Sequence, residues 1–215
     1  EKKETVYFTS AEASATQREF QKINLNGTEK VKLSSLKGTH SIDMSPDTKY
    51  FIDTYSNGNA PPVFSLHNGF SGKLIKTLTD NNRLVSQMKS YNFSKMEFFK
   101  FKTSQNIELN GYMIKPSNFD PSKKYPVLMH VYGGPGINTV NDAWGGSNFT
   151  WYQMLAQKGY IVVSVDGRGT GYKGAEFKKS TYGQLGKLES DDQIEGAKYL
   201  ATLKYVDANR IGIWG

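Results

Sequence analysis

Two glycine-rich loops and one strand end carry the residues of this chain that are equipped for chemistry. The first loop, Tyr132-Gly133-Gly134-Pro135-Gly136, follows the apolar run Pro126-Val127-Leu128-Met129-His130-Val131. Glycine lets a bound molecule approach the backbone closely, and a tyrosine hydroxyl there can donate to an oxygen that gains negative charge during acyl transfer. The second loop, Asp166-Gly167-Arg168-Gly169-Thr170-Gly171, closes another apolar run and sets a carboxylate two residues from a guanidinium. The third feature is Arg210-Ile211-Gly212-Ile213-Trp214-Gly215, a strand-like run ending in the position of the first glycine of a G-x-S-x-G nucleophile elbow. In that elbow a serine follows the first glycine by two positions, exposed on a strained turn. The sequence is therefore expected to stop just before such a serine.

Each of these residues also has a purely structural use. Tyr132 can serve as an aromatic cap over a sheet edge. The second loop is unlike a phosphate cradle, because no Lys-Ser or Lys-Thr follows its glycines, and the spacing from Gly167 through Gly169 leads to Lys173 where G-x-G-x-x-G requires glycine. Arg168 is expected instead to brace the loop by pairing with a carboxylate such as Asp166 or Glu189. The acids Glu189, Asp191, Asp192 and Glu195 lack a convergent histidine, so they are read as first-turn residues favoured by a helix dipole and no metal site is assigned. His40, His67 and His130 lie in or beside β-prone runs and none falls where an elbow's partner histidine belongs, since the order is serine, acid, histidine. His130 is expected to be a hydrogen-bonded core residue.

Composition narrows the class further. The 215 residues carry a formal charge of +7, but Lys2, Lys22, Lys49, Lys102, Lys158 and Lys204 are scattered and make no basic stripe interleaved with aromatics, which argues against a nucleic-acid surface. With hydrophobic residues at 37%, no apolar run approaches the ~20 residues that span a bilayer. The absence of cysteine excludes disulfides and thiol nucleophiles. Glu1-Lys2-Lys3-Glu4 is not followed by the apolar stretch of an export signal.

The elements that must position these loops change character along the chain. Up to about Asn82, short β-prone runs (Val6 to Thr9, Phe20 to Leu25, Tyr50 to Tyr55, Val63 to Leu66) alternate with the turn formers Asn26-Gly27, Ser45-Pro46-Asp47, Ser56-Asn57-Gly58 and Asn68-Gly69. That spacing fits an antiparallel sheet or one or two propeller blades. From about Tyr91 the pattern predicts a hairpin (Met96 to Lys102 and Ile107 to Lys115), then buried strands at Tyr125 to Val131, Tyr160 to Val165 and Arg210 to Trp214. Helices are expected between them: one near Thr150, with Trp151, Met154 and Leu155 on its inner face and Gly159 as its stop, and one from Asp191 to Leu203 with Ile194, Ala197 and Ala201 inside. Such alternation predicts an α/β sheet with its chemistry at the strand C-termini.

Taken in order, the Tyr132 loop, the Asp166 to Gly171 turn, the segment from Leu185-Gly186 through Glu189-Ser190-Asp191-Asp192-Gln193-Ile194-Glu195 and the terminal Arg210 to Gly215 resemble the prolyl oligopeptidase family, nearest to its bacterial dipeptidyl peptidase IV branch. The resemblance implies the C-terminal end of an all-β propeller over residues 1–88, followed over 89–215 by the N-terminal half of an α/β-hydrolase peptidase domain with a mostly parallel sheet. It implies a serine exopeptidase that releases N-terminal dipeptides, preferably after Pro or Ala, and that acts on peptide substrates without cofactor or metal. Of the catalytic groups only the oxyanion tyrosine maps onto this chain, at Tyr132. The triad Ser, Asp and His are expected beyond Gly215 and the amine-binding glutamates before Glu1, which would leave these 215 residues inactive by themselves. A homodimer in the periplasm or outside the cell is implied for the parent protein. A noncatalytic propeller and hydrolase scaffold, or a related oligopeptidase or aminoacyl peptidase, remain as alternatives.

Overall fold

The computed structural model describes residues 4–215; Glu1 to Lys3, and with them Lys2 and most of the charged start, lie outside the described residues. The chain forms two compact units, one running to Ser90 and including Asn141–Gly145, the other comprising Tyr91–Val140 and Gly146–Gly215.

The first unit is built of antiparallel sheets. Strands β1 (Thr5–Ser10), β2 (Glu19–Asn24) and β3 (Val31–Lys32) pair in that order, and β4 (Thr39–Met44), β5 (Tyr50–Asn57), β6 (Ala60–Asn68) and β7 (Leu74–Thr79) form a four-stranded meander. Strand β5 shows why: Phe51 and Asp53 are buried while their neighbours are not, the period of two expected of a strand with one face covered. Its entry turn closes through Ser45, whose carbonyl accepts from Thr48 N at 2.8 Å and whose hydroxyl donates to Asp47 at 2.8 Å. The core is Phe20, Leu33 and Phe51, with the Phe20 and Phe51 rings edge to face at 4.9 Å. Asp142 binds into this unit on three sides, accepting from Gln17 and Gly58 through its carboxylate and from Thr39 through its carbonyl. The short α1 (Asn82–Met88) buries none of its residues. The sequence pattern had no signal for β3, β4, β7 or α1. No closed propeller or barrel forms among the described residues.

The second unit is a five-stranded mixed sheet in the order β12-β10-β11-β9-β8, made of β8 (Met96–Lys102), β9 (Glu108–Ile114), β10 (Tyr125–His130), β11 (Ile161–Asp166) and β12 (Val206–Trp214). Strand β10 pairs parallel with both β11 and β12, whereas β9 pairs antiparallel with β8 and β11. The described part of the sheet is thus evenly divided and not mostly parallel, because the tight β8–β9 hairpin is itself part of it. Ile161, Val163 and Val165 enter one core with Met129 and Leu200; Val162 enters the other with Tyr112, Ile114 and Ala156. Helix α2 (Phe149–Gln157) and helix α4 (Lys187–Ala201) supply these two layers, and α3 (Ala175–Lys179) is a single short turn of helix between them in sequence. Each fully buried side chain such as Leu109, Ile161 or Leu200 contributes roughly 1.5–3 kcal/mol. No helix is long and apolar enough to cross a membrane among the described residues.

Both helices turn a different face inward from the one the largest apolar side chains suggest. In α2 the buried positions are Phe149, Tyr152, Gln153 and Ala156, with Met154 exposed and Trp151 and Leu155 only half-buried. Gln153 is inside because its amide replaces a missing strand partner, accepting from Ser94 N at 2.7 Å and donating to Ser94 O at 3.0 Å. In α4 the inner row is Asp192, Gly196 and Leu200, four residues apart, while Ile194 and Ala201 face out and Ala197 is half-buried. Gly159 does end α2, with φ +87° and Tyr160 N donating to Leu155 O.

Candidate functional site

The C-terminal ends of β10, β11 and β12 lie side by side, and every chemically equipped loop of the sequence leaves from one of them. His130 pairs with Trp214, and Val131 N donates to Trp214 O at 2.9 Å, so Tyr132 and Gly215 emerge next to each other. Gly215 has to be glycine: a Cβ there would stand 1.9 Å from the Val131 carbonyl oxygen, inside any permitted contact.

Tyr132 is 64% exposed. Its ring lies over Gly134, where a Cβ would stand 2.3 Å from the ring. The loop beneath it is fixed from both sides. Gly136 N donates to Gly169 O at 2.8 Å, tying it to the second loop. Asp166, at the end of β11, holds the following residues by accepting from Thr139 N (2.8 Å), Thr139 Oγ1 (2.9 Å), Val140 N (3.1 Å) and Asn138 Nδ2 (3.0 Å). Burial pushes the Asp166 carboxyl above its ordinary value, opposed by those same bonds from Thr139, Val140 and Asn138. Asp166→Asn is expected to destabilise the fold by about 1–3 kcal/mol, since an NH2 group would face two donors that have lost their acceptor; urea unfolding of the two forms measures it.

The second loop is braced by α4. Arg168 donates through Nε at 3.1 Å and Nη2 at 2.7 Å to Asp192 Oδ1, and its backbone N donates to Oδ2 at 2.6 Å. Nη1 reaches Gln105 at 2.9 Å. Asp192 is fully buried. Asp192, and neither Asp166 nor Glu189, is therefore the partner of Arg168: Asp166 is committed to the Tyr132 loop, and Glu189 accepts from Gly186 N at 3.0 Å at the start of α4. Gly167 makes room for the pair, as a Cβ there would meet the Asp192 Cβ at 2.9 Å. Because α4 begins at Lys187, Glu189 alone of the four acids is in its first turn. The sequence signal that could have found Asp192 is its spacing of four from Gly196 and Leu200.

His130 also differs from its expected role. Its ring stacks between Tyr152 (5.6 Å) and Trp214 (5.2 Å), and its buried Nδ1 has no hydrogen-bond partner. Burial lowers its pKa, which keeps the ring neutral. Beside the Tyr132 loop an apolar cavity of about 610 Å³ is walled by Val131, Gly133, Pro135, Leu185, Ile194 and Ile213.

The ends of β11 and β12 and the Arg168 brace lie in a part of the chain that matches a known family. Residues 147–215 match the model described as "Prolyl oligopeptidase family", and residues 1–62 match that of the "Dipeptidyl peptidase IV (DPP IV) N-terminal region". The chain belongs to the prolyl oligopeptidase family. Among relatives in this family, it is 36% identical over its whole length to dipeptidyl peptidase 4 of Trichophyton equinum, of which it covers 28%. It is 44% identical, with a TM-score of 0.94, to the crystal structure of Porphyromonas gingivalis dipeptidyl peptidase 4, covering all of this chain and 30% of that one. A putative dipeptidyl aminopeptidase IV from Bacteroides ovatus is 30% identical with a TM-score of 0.84, over 99% of this chain and 30% of that one. The chain thus spans less than a third of the length of these relatives.

Proposed function

We propose that these residues belong to a serine exopeptidase that removes dipeptides from peptide N-termini, preferably after Pro or Ala. In this reading residues 1–88 are the C-terminal part of a β-propeller and residues 89–215 the N-terminal half of an α/β-hydrolase domain. The observation that carries it is the pairing of Val131 with Trp214, which sets exposed Tyr132 beside the point where the chain leaves Gly215. A serine two residues after Gly215 would enter that space. The full match to dipeptidyl peptidase 4 relatives over this length supports the same substrate class.

The chemistry follows from this placement. The serine Oγ bonds to the carbonyl carbon of the second residue of the peptide, a histidine takes its proton, and an aspartate holds that histidine in the required tautomer. The carbonyl oxygen becomes an anion and accepts a hydrogen bond from the Tyr132 hydroxyl. When the C–N bond breaks, the histidine returns the proton to the leaving amine; water then releases the dipeptide from the ester. Serine, histidine and aspartate of this triad lie outside the 215 residues, and so do the glutamates that clamp the substrate amine. The parent protein acts as a homodimer in the periplasm or outside the cell.

The test is hydrolysis of Gly-Pro and Ala-Ala chromogenic amides by the full-length protein, with the amine free or acetylated. Cleavage of the free forms alone supports the exopeptidase. Cleavage of both points to an oligopeptidase, and cleavage of neither to a noncatalytic scaffold.

A further inference from the structure

Away from the candidate site, the first unit buries a histidine against an aspartate. His40 on β4 is 3% exposed and Asp53 on β5 is 4% exposed. Asp53 pairs with Ile42, so His40 and Asp53 are diagonal neighbours on the sheet face that also carries Phe51. His40 Nδ1 lies 2.7 Å from Asp53 Oδ2, and His40 Nε2 lies 3.0 Å from the Leu36 carbonyl oxygen. A carbonyl only accepts, and an ionised carboxylate only accepts. Both ring nitrogens must then donate, which an imidazolium does and neither neutral tautomer can. The short contact to Asp53 is that of a charge-assisted bond.

The surrounding groups agree with a charged ring. Burial by itself would lower the pKa of His40, but the bonds to Asp53 and Leu36 together outweigh it and leave the value raised. Lys32 on β3 works in the opposite direction and is itself paired with Glu19 of β2. Tyr55 of β5 stacks at 5.0 Å, and Arg18 meets the strand through its backbone, its carbonyl accepting from His40 N at 3.1 Å. Asp53 Oδ1 has no hydrogen-bond partner and Oδ2 meets His40, so His40 is the group that compensates this carboxylate.

We propose that His40, as an imidazolium held between Asp53 and the Leu36 carbonyl, is a pH-dependent latch that pins the segment joining β3 to β4 onto the β4–β5 hairpin. A second tie reinforces it where the Tyr55 hydroxyl donates to Lys37 O at 2.8 Å. Loss of the ring proton turns a nitrogen lone pair toward either the carboxylate or the carbonyl, and the tie to the Leu36 segment is lost. Because the folded-state pKa lies above the unfolded one, the latch contributes fully below the unfolded histidine value of about 6.5. Its contribution disappears as pH rises through the folded value.

The experiment is nitrogen NMR of the intact protein labelled at histidine, together with melting curves of the wild type and His40→Gln. At about pH 7.5, where an ordinary histidine is mostly neutral, His40 is expected to keep both ring nitrogens protonated. His40→Gln is expected to melt about 5 °C below the wild type near pH 6, because removing one partner strands the other in a buried pair, with the gap narrowing as the pH rises. If His40 is neutral at about pH 7.5, or if the melting gap is the same at low and high pH, the latch does not exist. Should His40→Gln fail to fold, the labelled wild-type spectrum decides between these outcomes unaided.

Discussion

Replacing Tyr132 by phenylalanine in the full-length protein is expected to lower kcat by about a hundredfold to a thousandfold, the usual consequence of removing one oxyanion donor. KM should change little, because the hydroxyl is asked to bind an oxygen that is fully charged only in the transition state. The fold should be unaffected: the phenol is exposed, and the ring atoms that lie over Gly134 are retained in phenylalanine. Steady-state kinetics on a Gly-Pro amide, with melting curves of both proteins as the control, measure this. Equal turnover by the two proteins would remove Tyr132 from the mechanism and return it to the role of a loop residue.

Arg168→Ala is expected to cost about 3–5 kcal/mol of stability, the range for stripping one partner from a buried ion pair. The loss is large because Asp192 has no exposure and would keep only the Arg168 backbone N–H among its present donors to Oδ2. The paired arrangement of Nε and Nη2 matters as much as the charge. Arg168→Lys should therefore recover only part of the loss, since an ammonium cannot reproduce the planar fork. Urea unfolding midpoints of the three proteins order the effects. If Arg168→Lys matched the wild type, the fork would be no more than a local charge contact. The pair also bears on the site, because Gly169 in the same loop accepts from Gly136 N and so carries the brace to the Tyr132 loop.

Much of this arrangement is legible in the sequence where local rules and tertiary packing agree. The hairpin of β8 and β9 and the apolar runs of β10, β11 and β12 are placed within one or two residues at most of their ends, apart from β12, which begins at Val206. Their signal is a short continuous apolar stretch between turn formers, and tertiary structure had no reason to overrule it. The loops after β10 and β11 are equally plain, since a Gly-rich segment just past a buried strand has few alternatives.

What the sequence hides is which polar residues are buried. Gln153 and Asp192 are polar residues inside their helices, and one completes the backbone of Ser94 while the other holds Arg168. Their partners are 59 and 24 residues away, beyond the reach of any pattern within the helix. His130 illustrates the reverse: a histidine in a buried strand reads as a hydrogen-bonded residue, but the rings of Tyr152 from α2 and Trp214 from β12 flank it and Nδ1 has no partner. The His40 and Asp53 pair was likewise invisible, because the strand that carries His40 gave no sequence signal of its own.

The most direct test of the central claim, that Tyr132 stands beside an activated serine at the end of β12, is labelling of the full-length protein with a fluorophosphonate, followed by peptide mapping. The account predicts one modified serine, in the peptide that continues from Ile211-Gly212-Ile213-Trp214-Gly215, two residues past the glycine. A protein that takes up no label, or takes it up at a serine elsewhere in the chain, would contradict it.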